Sequence, residues 1–255
     1  MNETIQTLLQ HRSIRKFKPQ PLDKATIDLL VEVAQRASTS SYMQACTIIS
    51  VTDEAIKHEL AVLGMQEYVR DNGHLFIFVA DTARNSAIAA AQGIDPVYQS
   101  SADRFLAGVY DCSIAAQNMV AAAESMGLGA VYLGTILNDA AKVIELLGLP
   151  PRTFPVFGLA LGYPEFQPRL KPRLPAQIVH MENRYTPVTE PEQQAALAAY
   201  DAEMAEYYSK RGSGSREETF SHMAGKYTHT QQAKRTQLGK LIRQQGFFTE
   251  LDKDA

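Results

Sequence analysis

The chain has 255 residues, of which 45% are hydrophobic and 21% charged, and a formal net charge of −3. That apolar content can fill a core without disulfide or metal staples, and it excludes disorder as the main state. The small negative balance argues against a nucleic-acid or membrane-surface role for the whole chain, but not against a local basic pocket.

In chain order, residues 4–10 read as a first helix. His11-Arg12-Ser13-Ile14-Arg15-Lys16-Phe17-Lys18 follows, with four formal positive charges and no acid, and Pro19 and Pro21 prevent a helix there. At the next helix Asp23 can cap free N–H groups, while Leu22 and Ile27 take the positions of a hydrophobic staple. Ile27, Leu30, Val31 and Ala34 keep helical spacing up to residue 37. Residues 38–41 are a small polar turn.

Residues 47–52 are β-branched and predict a strand, and 53–63 a helix. Residues 75–80 form a second, fully apolar strand that must be covered on both faces. With Gly93, Asp95 and Pro96, the stretch 81–100 reads as an irregular excursion. Residues 101–126 make a long helix of small residues, buried on several sides and stopped by Gly127. A third strand occupies 130–133. Asn138 can cap a helix to residue 147, closed by Gly148 and Pro150. A fourth strand at 154–161 leads into a proline-rich loop carrying Arg169, Lys171 and Arg173. Residues 190–211 form a polar helix, Gly212-Ser213-Gly214-Ser215 a flexible joint, and 231–244 a short last helix. This C-terminal part has few large apolar residues and needs another surface to pack on. Strands alternating with helices give an α/β or α+β domain, and periodicity leaves the strand direction open.

Cys46 and Cys112 lie in apolar runs with no Cys-x-x-Cys, as expected of buried free thiols in a reducing compartment. The N-terminus lacks a basic region followed by an apolar stretch. The run 105–126 contains Asp111, Gln117, Asn118 and Glu124, which a membrane span tolerates poorly. A cytoplasmic protein without membrane or nucleic-acid partners is expected.

Dinucleotide-fold, P-loop, zinc-protease and nucleophile-elbow motifs are missing, and the six histidines have no metal-ligand spacing, so no metal centre is expected. What remains is a set of anion-binding pieces: His11 to Arg15, the Ser38 to Ser41 cluster, and Lys171-Pro172-Arg173. Arginine offers forked donors suited to phosphate. Taken singly, each piece is also what a solvated surface turn looks like. Between the two basic segments lies Gly129-Ala130-Val131-Tyr132-Leu133-Gly134-Thr135, a strand ending in small residues, where a planar ligand can approach backbone amides closely.

These segments resemble the nitroreductase superfamily of FMN flavoproteins, and within it the NADPH-dependent group. The resemblance is carried by His11-Arg12-Ser13-Ile14-Arg15, the Ser/Thr cluster with Gln44, Ala123-Glu124-Ser125-Met126-Gly127-Leu128-Gly129, Val131-Tyr132-Leu133-Gly134, Phe157-Gly158-Leu159-Ala160-Leu161-Gly162, Lys171-Pro172-Arg173-Leu174-Pro175, and Glu206-Tyr207-Tyr208 through Arg211-Gly212-Ser213. They run in the family order over residues 5–216.

The resemblance implies an α+β fold with a mostly antiparallel sheet flanked by helices, in an intertwined homodimer. It implies one domain over 1–255, with about 189–255 an extension that wraps the partner and contributes to the NADPH site. It implies tightly but non-covalently bound FMN, held at phosphate and ribityl by His11, Arg12, Ser13 and Arg15, with Lys171 and Arg173 closing on the phosphate. Arg15 would also lie near the pyrimidine edge and tune the flavin. Thr39, Ser40, Ser41 and Gln66 would line the ring or ribityl. Tyr132, Leu133 and Gly134 would lie under the ring, with a backbone N–H for N5. Arg211 and Arg216 would grip the 2′-phosphate of NADPH. The implied activity is ping-pong, two-electron reduction of nitroaromatics, quinones or flavins by NADPH, with no dedicated catalytic side chain. An FMN-binding sensor without turnover, and a flavin-free phosphate-binding domain, are the rival readings. Residues 81–100 and the tail beyond Arg216 depart from the family pattern, which bears on the substrate rather than on FMN.

Overall fold

The computed structural model describes residues 1–210, 216–229 and 233–249. Among them, four strands make one antiparallel sheet: β1 (Cys46–Val51), β2 (His74–Asp81), β3 (Gly129–Leu133) and β4 (Thr153–Gly162), in the order β1-β2-β4-β3. The family resemblance, and not the periodicity, anticipated this strand direction.

Helices precede and connect the strands: α1 (Glu3–Leu9), α2 (Lys24–Gln35), α3 (Glu54–Gly64), α4 (Ala83–Ala91), α5 (Ala102–Ser125) and α6 (Ala140–Leu146). Asp23 caps α2 as read from sequence, its carboxylate accepting from Thr26 N at 2.7 Å. Leu22 and Ile27 join the same core cluster.

β2 is buried at every position. Phe76 and Phe78 face α2 and α5, packing with Leu30, Met119, Val120, Leu159 and Leu161. Leu75, Ile77 and Val79 face the other way, onto Leu60 of α3, Val143 of α6, and Val131 and Leu133 of β3. A register slip of one residue would exchange these two sets of side chains, each worth about 1.5–3 kcal/mol on burial. Both faces of the sheet are therefore closed by the chain's own helices.

Three sequence expectations change. Residues 81–100 are not irregular: they contain α4 and a 3₁₀ turn at Val97–Ser100. The alanine-rich segment favours a helix, and the Asp81 carboxylate accepts from Arg84 N at 3.1 Å to start it. The helix expected from Asn138 is a 3₁₀ turn at Gly134–Asp139 followed by α6, and Asp139 is the cap. Phe220–His229 is an unforeseen helix, because only Phe220 and Met223 mark its buried face and the rest have middling propensity.

The chain divides into two compact units, one of residues 1–168 with 233–249, the other spanning residues 169–229. The second holds α7 (Ala176–Val179), α8 (Pro191–Ser209) and α9 (Phe220–His229), with Tyr200, Met204 and Tyr208 at its centre. In the first, α10 (Leu238–Gln244) and Phe247 pack on Phe105, Phe154 and Ala140.

His74, at the start of β2, lies against Phe76 and within 2.9 Å of Ser50 Oγ. Burial, helped by the charge of Lys57, pushes its pKa down to about 4. The folded state then binds fewer protons at this site than the unfolded chain, so its contribution to stability is complete above the unfolded value of about 6.5 and is lost as pH falls toward 4. Urea unfolding should show a loss of up to about 3 kcal/mol across that window, and His74→Gln should remove most of the slope.

Candidate functional site

The first group of predicted residues is built on the β3 edge. Ser13 bridges Ala130 in parallel, and Ile14 N donates to Ala130 O at 2.9 Å. Ile14 is buried, so Ser13 and Arg15 are directed away from it by the alternation of extended chain. The approach depends on Gly129, since a Cβ there would stand 2.5 Å from Ile14 Cγ1. Because the segments run parallel, Arg15 and Tyr132 each lie two residues beyond the bridge in the same direction.

His11 Nδ1 is 2.7 Å from the carboxylate of Glu124 near the end of α5. Arg12 donates to Gln10 O at 2.6 Å and to Gln10 Oε1 at 3.0 Å, while its Nε is buried with no protein partner. A cavity of about 300 Å³ lies at Arg12, bounded by Gln6, Gln10, Glu124 and Gly129. That is the lower end of small-ligand cavities.

Next along this edge is the Tyr132-Leu133-Gly134 segment. Leu133 is buried, Tyr132 and Gly134 are exposed, and nothing lies within 4 Å of where a Gly134 Cβ would stand. Tyr132 OH donates to Gln117 Oε1 at 3.3 Å. Partial loss of solvent on the side packed against the sheet, with the Glu124 charge, raises its pKa to about 12, which keeps it a phenol. Gln66 reaches the same place: its Oε1 accepts from Thr135 Oγ1 at 2.8 Å.

Thr39, Ser40 and Ser41 precede β1, on the opposite edge of the sheet. The buried Asp111 carboxylate of α5 holds this loop, accepting from Ser40 N and Ala45 N at 2.8 Å each. From α4, Arg84 donates to Gln44 O, and Asn85 Nδ2 donates to Met43 O at 2.9 Å. Ser41, Tyr42 and Gln44 all have positive φ, a conformation these hydrogen bonds maintain. Thr39 Oγ1 is buried without a protein partner beside a second cavity of about 330 Å³.

The remaining residues belong to the second unit. Lys171 and Arg216 share one ring: the lysine ammonium is 5.4 Å and the Arg216 guanidinium 4.5 Å from the centroid of Tyr208. Arg173 is exposed, near enough to Tyr200 to affect its phenol electrostatically. Arg211 lies outside the described residues.

One sheet edge thus gathers His11, Arg12, Ser13, Arg15, Gln66, Tyr132, Leu133 and Gly134, and not Thr39 to Ser41. Sequence reading missed the supporting groups Asp111, Arg84, Asn85, Thr135 and Asn138. Only Asp111 carried a signal, as the one charged residue between Arg104 and Glu124 of the long helix. Asp111→Asn replaces an acceptor by a donor facing a backbone N–H. It should cost about 2 to 3 kcal/mol in urea unfolding and speed amide exchange at Ser40 and Ala45.

Comparison with known proteins supplies the lineage. Residues 8–163 match the model of the Nitroreductase family, and 171–250 that of the Nitroreductase family, C-terminal domain. An FMN reductase (NADPH) of Bacillus subtilis is 44% identical over 250 residues, covering 97% of this chain and 99% of the relative. An oxygen-insensitive NADPH nitroreductase of Salmonella typhimurium is 42% identical over 224 residues, 87% of this chain and 89% of the relative. The structure of a B. subtilis nitroreductase superposes with a TM-score of 0.91 at 43% identity, covering 96% of this chain and 99% of that one. The chain belongs to the nitroreductase family.

Proposed function

We infer that this chain is an FMN-dependent NADPH oxidoreductase that reduces electron-poor acceptors by two electrons in a ping-pong cycle. The observation that carries the reading is the β3 edge, where paired backbone sets an arginine-rich anion segment beside an open glycine turn. The residues fit the cofactor. Arg12 Nε and Thr39 Oγ1 are buried polar atoms awaiting a partner, and such atoms are rare in folded chains. The bare Gly134 backbone admits a planar ring. The relatives named FMN reductase (NADPH) and NADPH nitroreductase support both the cofactor and the electron donor.

Bound FMN supplies the redox chemistry between NADPH and the acceptor. The chain binds and orients. Arg12, Ser13 and Arg15 hold the phosphate and ribityl, with His11 fixed by Glu124, and Lys171 and Arg173 complete the phosphate site. Arg15 also favours the reduced, more negative ring. Gln66, Tyr132, Leu133 and Gly134 support the ring. Arg216, with Arg211, grips the 2′-phosphate of NADPH. Nitroaromatics, quinones and free flavins are the proposed acceptors, since an opening that admits NADPH admits other planar oxidants.

The split site supports a homodimer. Thr39 to Ser41 stand on the far edge of a four-stranded sheet, roughly 14 Å across in the hydrogen-bonding direction. A second copy can bring its own loop to the β3 edge, and two-fold symmetry completes both sites at once. Of the extension at about 189–255, residues 189–229 are proposed to wrap that partner, because 233–249 pack on the chain's own Phe105, Ala140 and Phe154. No described helix is long and apolar enough to cross a membrane. Two free thiols suit the reducing cytoplasm, the compartment we propose.

An absorption spectrum of the purified protein before and after anaerobic NADPH tests the reading. Flavin bands that bleach are expected, and a protein that stays colourless with added FMN overturns it. Arg15→Ala should raise the FMN dissociation constant at least tenfold, from the loss of charge-assisted bonds of about 1.5–3 kcal/mol each. Arg211→Ala and Arg216→Ala should instead raise the KM for NADPH several-fold at full flavin content. An unchanged KM would move the nucleotide site elsewhere.

A further inference from the structure

The C-terminal segment 233–249 delivers one arginine to the flavin-facing turn. It is anchored at its far end: Phe247 is fully buried, with its ring 4.9 Å from that of Phe105. Gln245 Nε2 donates to Thr153 O at 2.9 Å, and Arg152 N donates to Gln245 O at 2.6 Å. At its near end, Arg235 Nε donates to Asn138 Oδ1 at 3.0 Å and Arg235 Nη2 donates to the Gly134 carbonyl. Asn138, itself buried, donates onward to Leu63 O at 3.4 Å. One guanidinium therefore spans both ends of the 3₁₀ turn Gly134–Asp139.

Gly134 has the widest torsional freedom of any residue type there, and no atom packs where its Cβ would be. Packing does not fix the turn at this point, and the hydrogen bond to its carbonyl does. We propose that Arg235 is a positioning residue for the flavin, resting on the FMN reading above. It sets the peptide planes of the Gly134 turn, and it adds a cation beside the ring that favours the reduced, more negative state.

The test compares Arg235→Ala and Arg235→Lys in the FMN-loaded protein, reading the midpoint potential and the FMN dissociation constant. Amide exchange at residues 135–138 is read in the flavin-free protein. Arg235→Ala should lower the potential by about 30 mV, a tenfold change for a two-electron couple. It should also weaken FMN binding and speed exchange in the turn. Arg235→Lys keeps the charge and loses the fork, so it should restore the potential but not the exchange protection. Phe247→Ala, which loosens the anchor while leaving Arg235 intact, should shift exchange in the same direction as Arg235→Ala. A wild-type potential in Arg235→Ala overturns the electrostatic role, and wild-type exchange overturns the clamp. A parent protein that binds no FMN overturns the underlying reading instead, and this proposal with it.

Discussion

The constraint from which the rest follows is the double burial of β2. A strand with no exposed position needs apolar cover on both sides, and α2 with α5 on one face and α3 with α6 on the other provide it. Once both faces are closed, no ligand can lie flat on the sheet. Binding groups are left with its edges and strand ends. The His11 to Arg15 segment pairs with β3, one edge strand, and the Ser/Thr loop precedes β1, the other. The split of the site is thus a consequence of how the core is made.

The same logic explains how the site's loops are held. Irregular backbone has no ladder of its own, so its N–H and C=O groups must find partners elsewhere. Around residues 39–45 the partners are a buried carboxylate from α5 and two side chains from α4. Around 134–139 Arg235 of the C-terminal segment donates to the Gly134 carbonyl, and the side chains of Thr135 and Asn138 donate to Gln66 Oε1 and Leu63 O. Each loop is fixed by residues distant in sequence, which makes its geometry a property of the assembled fold.

That distance also decides what could be read from the sequence. The four strands, the capped helix at Asp23 and the long small-residue helix were legible, because each is announced by local periodicity and end signals. The residues at the β3 edge were legible through their order along the chain. Strand direction was not legible in periodicity, since alternation is the same either way, and came from the family resemblance alone. α4 was masked by Gly93 and Pro96, which end it rather than prevent it. Asn138 looked like a cap because cap residues and buried bridging amides share a composition. Its two partners, Leu63 and Arg235, come from opposite directions along the chain. The roles of Arg84 and Asn85 left no trace in the pattern, for surface polar residues on an alanine-rich helix carry no mark of what they reach.

Gly129 carries one more consequence. The room it leaves is taken by Ile14, so the strand and the arginine segment meet with only that buried side chain between them. The distance of Arg12 and Arg15 from the strand is therefore set by a missing atom. A methyl group at this position would act as a spacer, lifting the whole segment outward as a body. Ile14 is itself buried and donates its N–H to Ala130 O, so such a shift would also open this edge of the core. Drift at this residue would thus register in folding stability as well as in the spacing between the arginine segment and the sheet.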